Sequence, residues 1–175
     1  MSEAKAEAEG TAKPKRPWWR YAIEVGLIAA VFFGVRAYQT RDAPRGPAPE
    51  LSASTLDGGS FALAPQSGPV LVHFWATWCG VCQAEEGNID SVAEDHSVIT
   101  IASQSGAPGD VSAYLRAHEL GFPVINDPTG AIAHRWGVHA FPTSFVVDPD
   151  GQIRNVEVGY TSTFGLRGRL WLAGL

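Results

Sequence analysis

No lysine occurs after Lys15, and from residue 50 onward five arginines face thirteen Asp and Glu. A domain so poor in cations is excluded as a binder of nucleic-acid phosphates, which rests on Lys and Arg. Only two cysteines occur, Cys79 and Cys82. They cannot frame a disulfide-rich scaffold, and a bridge between such near neighbours closes too small a loop to stabilise much. Met1 is the only methionine, which excludes a methionine-rich copper site. Internal repeats are lacking. The histidines His96, His118, His134 and His139 are scattered, and no zinc pattern joins them to the cysteines. No metal and no cofactor is expected.

What is present divides the 175 residues in two. Residues 1–49 carry eight Lys and Arg against five Asp and Glu, so the chain's net charge of −5 hides a basic leader on an acidic body. Residues 1–17, with "AKAEAEG" and "KPKRP", read as a disordered cytoplasmic tail. Residues 18–38, "WWRYAIEVGLIAAVFFGVRAY", read as a single-pass transmembrane signal anchor. Arg20, Glu24 and Arg36 stand near its ends, and Trp18, Trp19, Tyr21 and Tyr38 form an interfacial belt. A cleaved signal peptide competes with this reading. The long polar leader and the lack of an A-x-A site count against cleavage. Residues 39–49 read as a linker, and residues 50–175 as one globular domain.

Within that domain "LSASTLDGGSFAL" alternates around Asp57-Gly58-Gly59, a hairpin signal. "GPVLVHFWAT" is the continuous apolar run of a central strand. A helical pattern from Cys79, the strand "SVITIAS", a helix capped by Asp110, the short strand "FPVIND" and the helix "TGAIAHRWGV" follow. A hairpin turning at Pro149-Asp150-Gly151 and a closing helix complete the chain. The order βαβαβα then ββα predicts an α/β fold with a mixed sheet.

Two cysteines this close can grip a metal, staple a loop or exchange electrons. The pair follows a buried strand and opens a helix. The first cysteine therefore sits where free N–H groups and the helix dipole favour negative charge, which makes Cys79 the attacking thiolate. Cys82 lies one turn on, on the same face, and can resolve a mixed disulfide.

"VLVHFWATWCGVC" resembles a thioredoxin-fold active site. Its details are similar to the membrane-anchored, periplasmic thiol–disulfide oxidoreductases of the TlpA/ResA group, and within it to the disulfide oxidoreductases of bacterial suppressor-of-copper-sensitivity systems. The resemblance implies a thioredoxin fold: a central mixed sheet flanked by helices, with an N-terminal β-hairpin extension and a βα insertion. It implies Cys79 as nucleophile and Cys82 as resolving thiol, with Trp78 flanking the disulfide. Glu85 matches the acid of a CxxCxxE pattern that tunes the thiols; otherwise it is a solvated helix residue beside Glu86. Pro142 matches the cis-proline that faces the disulfide, and Phe141 before it offers backbone groups to an extended substrate strand.

Two positions depart from the pattern. Val81 stands where proline is common between the cysteines. His73 stands where thioredoxin holds a buried aspartate; an imidazole titrating near neutrality can relay the same proton, or His73 is a core histidine bonded to backbone. His118 is expected as an exposed helix residue, and His139 borders the site. The implied partners are protein thiol or disulfide clients, a membrane electron donor or acceptor, and the bacterial inner membrane, with the catalytic domain in the periplasm. Two alternatives use the same cysteines: a Cu(I) chaperone or sensor, since thiolates suit Cu(I), and an apocytochrome c-specific reductase.

Overall fold

The structure, a computed structural model, describes residues 18–39, 46–63 and 67–175. The expected tail, residues 1–17, lies outside the described residues, as does most of the expected linker. Two units are distinguished, residues 1–35 and 36–175. Helix α1 (Trp18–Gln39) runs for 22 residues, most of them in the first unit. Ile23, Val25, Leu27, Ile28, Val31 and Val35 are all exposed along it. Among the described residues no helix is long and apolar enough to cross a membrane.

The second unit opens with β1 (Gly46–Pro47), then β2 (Ser52–Ser54) and β3 (Ser60–Ala62). Gly46 pairs with Ile153 and Pro47 with Gln152. The linker reading of residues 46–49 is thereby corrected: the folded domain begins by Gly46. A proline tolerates this place because β1 is an edge strand. The expected hairpin forms from β2 and β3, with Ser52 opposite Ala62. Gly58, at φ +86°, takes the left-handed turn that other residues resist.

The main sheet continues with β4 (Val70–Trp75), β5 (Ser97–Ser103), β6 (Val124–Asp127), β7 (Thr143–Val147) and β8 (Gln152–Val158). Its order is β1-β8-β7-β4-β5-β6. β4 runs parallel to β5 and antiparallel to β7, so the sheet is mixed, with β4 central. The connecting helices are α2 (Gly80–Ala93), α3 (Pro108–Ala117) and α4 (Ala131–Arg135), and α5 (Thr163–Ala173) closes the chain. The β6–α4 unit between α3 and β7 is the inserted βα. The predicted order of elements from residue 70 onward is the observed one. Asp110 is not the N-cap of α3. Ala107 holds that place, because Pro108 starts the helix, and Asp110 accepts the Ala107 N–H at 2.9 Å from one turn inside.

All six residues of β4 are buried, as a central strand covered on both faces requires. Alternation divides them between two cores. Val70, Val72 and Phe74 join Ile99, Ile101, Trp136 and Phe145 on one face. Leu71 and Trp75 join Ile89, Val92, Leu166, Leu170 and both cysteines on the other. His73, between Leu71 and Trp75, therefore points to the cysteine-bearing face. Ser162 caps α5, accepting the Gly165 N–H at 3.3 Å. Ser162→Ala is expected to lower stability by about 1 kcal/mol in urea unfolding, the usual cost of a lost N-cap.

Candidate active site

Strand β4 ends at Trp75, and the chain turns through Ala76–Trp78 into α2. The turn is fixed from β5's loop. The Thr77 N–H donates to Ser105 Oγ at 3.0 Å, and the Trp78 indole N–H donates to the Gln104 carbonyl at 2.9 Å. Gln104 holds this carbonyl from a left-handed φ of +51°, unfavourable for a residue with a Cβ. Trp78 is 61% exposed, and its ring meets the edge of Phe141 at 5.8 Å between centroids.

Cys79 is the N-cap of α2 in extended backbone, and its Sγ accepts the Cys82 N–H at 3.2 Å. No acidic residue lies in the first turn of α2 to oppose negative charge there. The two cysteines are joined as a disulfide, with Cα atoms 5.2 Å apart. Both are buried, and the Phe141 carbonyl oxygen lies 3.6 Å from Cys79 Sγ. The Phe141–Pro142 peptide bond is cis. The site thus brings together Trp78, Cys79, Cys82, Phe141 and Pro142 from two loops far apart in sequence.

Glu85 lies one turn beyond Cys82 and is wholly buried. Its Oε1 accepts the Thr161 N–H at 2.9 Å, and Oε2 has no hydrogen-bond partner. Burial pushes the carboxyl up to about 7, against a smaller lowering by the Thr161 N–H. The solvated-helix alternative for Glu85 is excluded. Glu86 beside it is the outward carboxylate, accepting from the Tyr114 hydroxyl at 2.7 Å and paired with His118 Nδ1 at 2.7 Å. His118 is exposed, as expected, and it caps α3 and stacks on Tyr114 at 4.0 Å.

His73 is only 3% exposed. Its Nδ1 lies 2.8 Å from Ser144 Oγ, not from a backbone group. Burial holds its pKa down at about 3, so the ring is neutral across the physiological range. The expectation that it titrates near neutrality is corrected on this ground. The buried group near the cysteines in sequence that titrates at about 7 is Glu85. Ser144→Ala leaves Nδ1 without its partner in a buried place, and about 1–3 kcal/mol of stability is expected to be lost. Urea unfolding of the oxidised protein measures it.

His139 borders a surface cavity with Gln104, His134 and Phe141, as its position in sequence suggested. Among the described residues no group of three or more His, Cys, Asp or Glu could hold a metal ion. Sequence reasoning missed Gln104, Ser105, Ser144 and Thr161. The polar run Ser103–Gln104–Ser105 after an apolar strand is the only local signal that pointed to any of them.

A disulfide at the start of a helix, against a cis X-Pro bond, at the end of a central strand is an arrangement with relatives. Residues 44–156 match the AhpC/TSA family. The chain belongs to that family. It is 37% identical over 127 residues to a thioredoxin-like protein of Haemophilus influenzae, covering 71% of this chain and 75% of that one. It is 30% identical over 154 residues to the thiol:disulfide interchange protein DsbE of Allochromatium vinosum, covering 83% and 84% of the two chains. Among solved structures it superposes on a thioredoxin-family thiol:disulfide interchange protein from Chlorobium tepidum. There the TM-score is 0.64 at 27% identity, over 75% of this chain and 98% of that one. This AhpC/TSA member has the thioredoxin fold and is a thiol–disulfide oxidoreductase, consistent with the TlpA/ResA group.

Proposed function

We propose that the protein exchanges disulfides with protein clients on the periplasmic side of the bacterial inner membrane, through Cys79 as nucleophile and Cys82 as resolving thiol. The observation that carries the reading is the seat of Cys79 at the N-cap of α2, with Cys82 N–H aimed at its sulfur. That geometry stabilises a thiolate at Cys79.

In the reducing direction the Cys79 thiolate attacks a client disulfide. One S–S bond forms as the client's breaks, and one client sulfur leaves as a thiolate that takes up a proton. Cys82, on losing its proton, attacks Cys79 Sγ and expels the second client sulfur. Two electrons have then passed to the client, the Cys82 proton and one from solvent complete its two thiols, and Cys79–Cys82 is the oxidised product. The oxidising direction is the reverse. The partner's potential sets the net flow, and a membrane electron donor or acceptor resets the pair.

The other residues have roles in the same scheme. The Phe141 backbone beside Pro142 receives an extended client strand, and Trp78 forms the rim. Glu85 handles the proton of Cys82: with a carboxyl at about 7 it gives up or takes a proton near neutrality, and protonated it keeps a second negative charge from the thiolates. Residues 18–38 attach the chain to the membrane. The run of exposed apolar side chains from Ile23 to Val35 supports this, because apolar surface of that extent favours a nonaqueous environment.

Turnover of an insulin or glutathione disulfide by the full-length protein tests the reading. Cys79→Ser is expected to lower the rate at least about 1000-fold, as loss of a covalent nucleophile does. Undiminished turnover contradicts the assignment. In intact cells, a membrane-impermeant maleimide should label the reduced pair; protection of the pair until the cells are lysed contradicts the periplasmic location.

A further inference from the structure

Beyond β8 the chain makes a detour before entering α5. Gly159, at φ +86°, turns it out of the strand, and its N–H donates to the Pro142 carbonyl at 2.8 Å. Residues 160–163 then lie against α2, where Asn88 makes three hydrogen bonds to them. Its amide nitrogen donates to the Tyr160 hydroxyl at 3.0 Å and to the Thr161 carbonyl at 3.1 Å. Its amide oxygen accepts from the Thr163 hydroxyl at 3.1 Å. Both functions of the amide are therefore spent on this one segment.

Asn88 stands three residues beyond Glu85, on the same face of α2. The segment it grips is the one whose Thr161 N–H donates to Glu85 Oε1. Glu85 has no exposed surface, and its second oxygen is unpartnered. Water reaching that oxygen would satisfy it. The segment between Gly159 and α5 contributes to its cover, and apart from Glu85 itself Asn88 is the α2 side chain that grips this segment, with three hydrogen bonds.

We propose that Asn88 is a positioning residue that clasps residues 160–163 as a strap across Glu85 and keeps water from its carboxyl during thiol–disulfide exchange. The proposal rests on the reading of Glu85 as the proton-handling group. Burial and the Thr161 N–H are the causes that set the Glu85 carboxyl. On the neighbouring elements, Cys82 is held in the disulfide, His73 on β4 is neutral and the Tyr160 hydroxyl accepts from Asn88. Glu157 of β8 and Arg169 of α5 are paired at 2.7 Å. Glu86 is engaged with Tyr114 and His118. With the strap released, hydration favours the charged carboxylate, and the titration of Glu85 moves toward the ordinary carboxylate range.

The test follows the carbonyl stretch of the protonated carboxyl by infrared titration of the full-length oxidised protein, with Glu85→Gln identifying the band. In the unsubstituted protein half of the band is lost near pH 7. In Asn88→Ala the midpoint is expected at least one pH unit lower, a tenfold change in acid dissociation. Thr163→Val, which removes one of the three contacts, is expected to shift it less and in the same direction; it serves as the readout should Asn88→Ala fail to fold. Thermal unfolding is measured in parallel. If both variants melt earlier while the band titrates as before, Asn88 only packs α2 against α5, and the strap proposal is overturned with the Glu85 reading intact. If the band of the unsubstituted protein is half lost near pH 4.5, the Glu85 reading itself fails, and the strap with it.

Discussion

Replacing Cys82 with serine is expected to stop turnover and leave client proteins bonded to Cys79. The first attack needs only the Cys79 thiolate, and the helix start that favours it is untouched by the change. The second needs a sulfur one turn along the same face, within reach of Cys79 Sγ, and a serine hydroxyl does not displace a thiolate at neutral pH. The mixed disulfide therefore accumulates toward one client per chain. It should dissolve on adding dithiothreitol and be missing from a Cys79→Ser, Cys82→Ser double variant. Mass spectrometry of the trapped species names the client class. Recovery of apocytochromes, or of proteins of copper resistance, separates the two narrower substrate readings. A Cys82→Ser protein that turns over as fast as the unsubstituted one contradicts the two-step scheme.

The second large effect is on stability, and it comes from two buried groups with opposite signs. His73 titrates at about 3 in the folded protein against an ordinary 6.5. As pH falls through that window the unfolded chain binds the proton first, so His73 makes stability rise with pH between 3 and 6.5. Glu85 titrates at about 7 against an ordinary 4.5. As pH rises the unfolded chain loses its proton first, so Glu85 makes stability fall between 4.5 and 7. From pH 4.5 to 6.5 the two slopes oppose each other. Each is worth about 1.4 kcal/mol per pH unit, or about 3 kcal/mol over the window. Glu85→Gln removes one slope and should leave a protein that gains roughly this much from pH 4.5 to 6.5. His73→Asn removes the other and should leave one that loses a similar amount. Urea unfolding of the oxidised variants at several pH values reads both. Parallel curves for the two variants contradict the assignments.

The parts of this site that the sequence made legible are those encoded by short spacing. Cys79 and Cys82 lie within one helical turn, Trp78 adjoins them, and the apolar run of β4 marks the strand they follow. From residue 70 onward the element order was equally plain, because β4, β5 and β7 each hold a largely apolar run, Val70–Trp75, Val98–Ala102 and Phe145–Val147. What stayed hidden depends on pairing across the fold. Gly46–Pro47 has no periodicity of its own and becomes a strand only because β8 offers it an edge. His73 could not be distinguished from a neutral-pH relay without knowing that it is buried against Ser144, 71 residues away. Glu85 and Glu86 are identical neighbours in sequence. A helix turns successive side chains by about 100°, so one enters the core and the other meets Tyr114 and His118. Which of them entered was decided by where α3 and α5 came to lie. Asn88 carries no motif at all, and its place is evident only from the segment that crosses it.

The account depends most on the ionisation of one sulfur. The direct measurement is the rate of iodoacetamide alkylation at Cys79 in the reduced full-length protein, followed by mass spectrometry as a function of pH. An inflection well below the value of about 8.5 for a free cysteine is expected, because the Cys79 sulfur, which accepts the Cys82 N–H, stands at the positive end of α2, a seat that favours its thiolate. An inflection at or above that value contradicts the account.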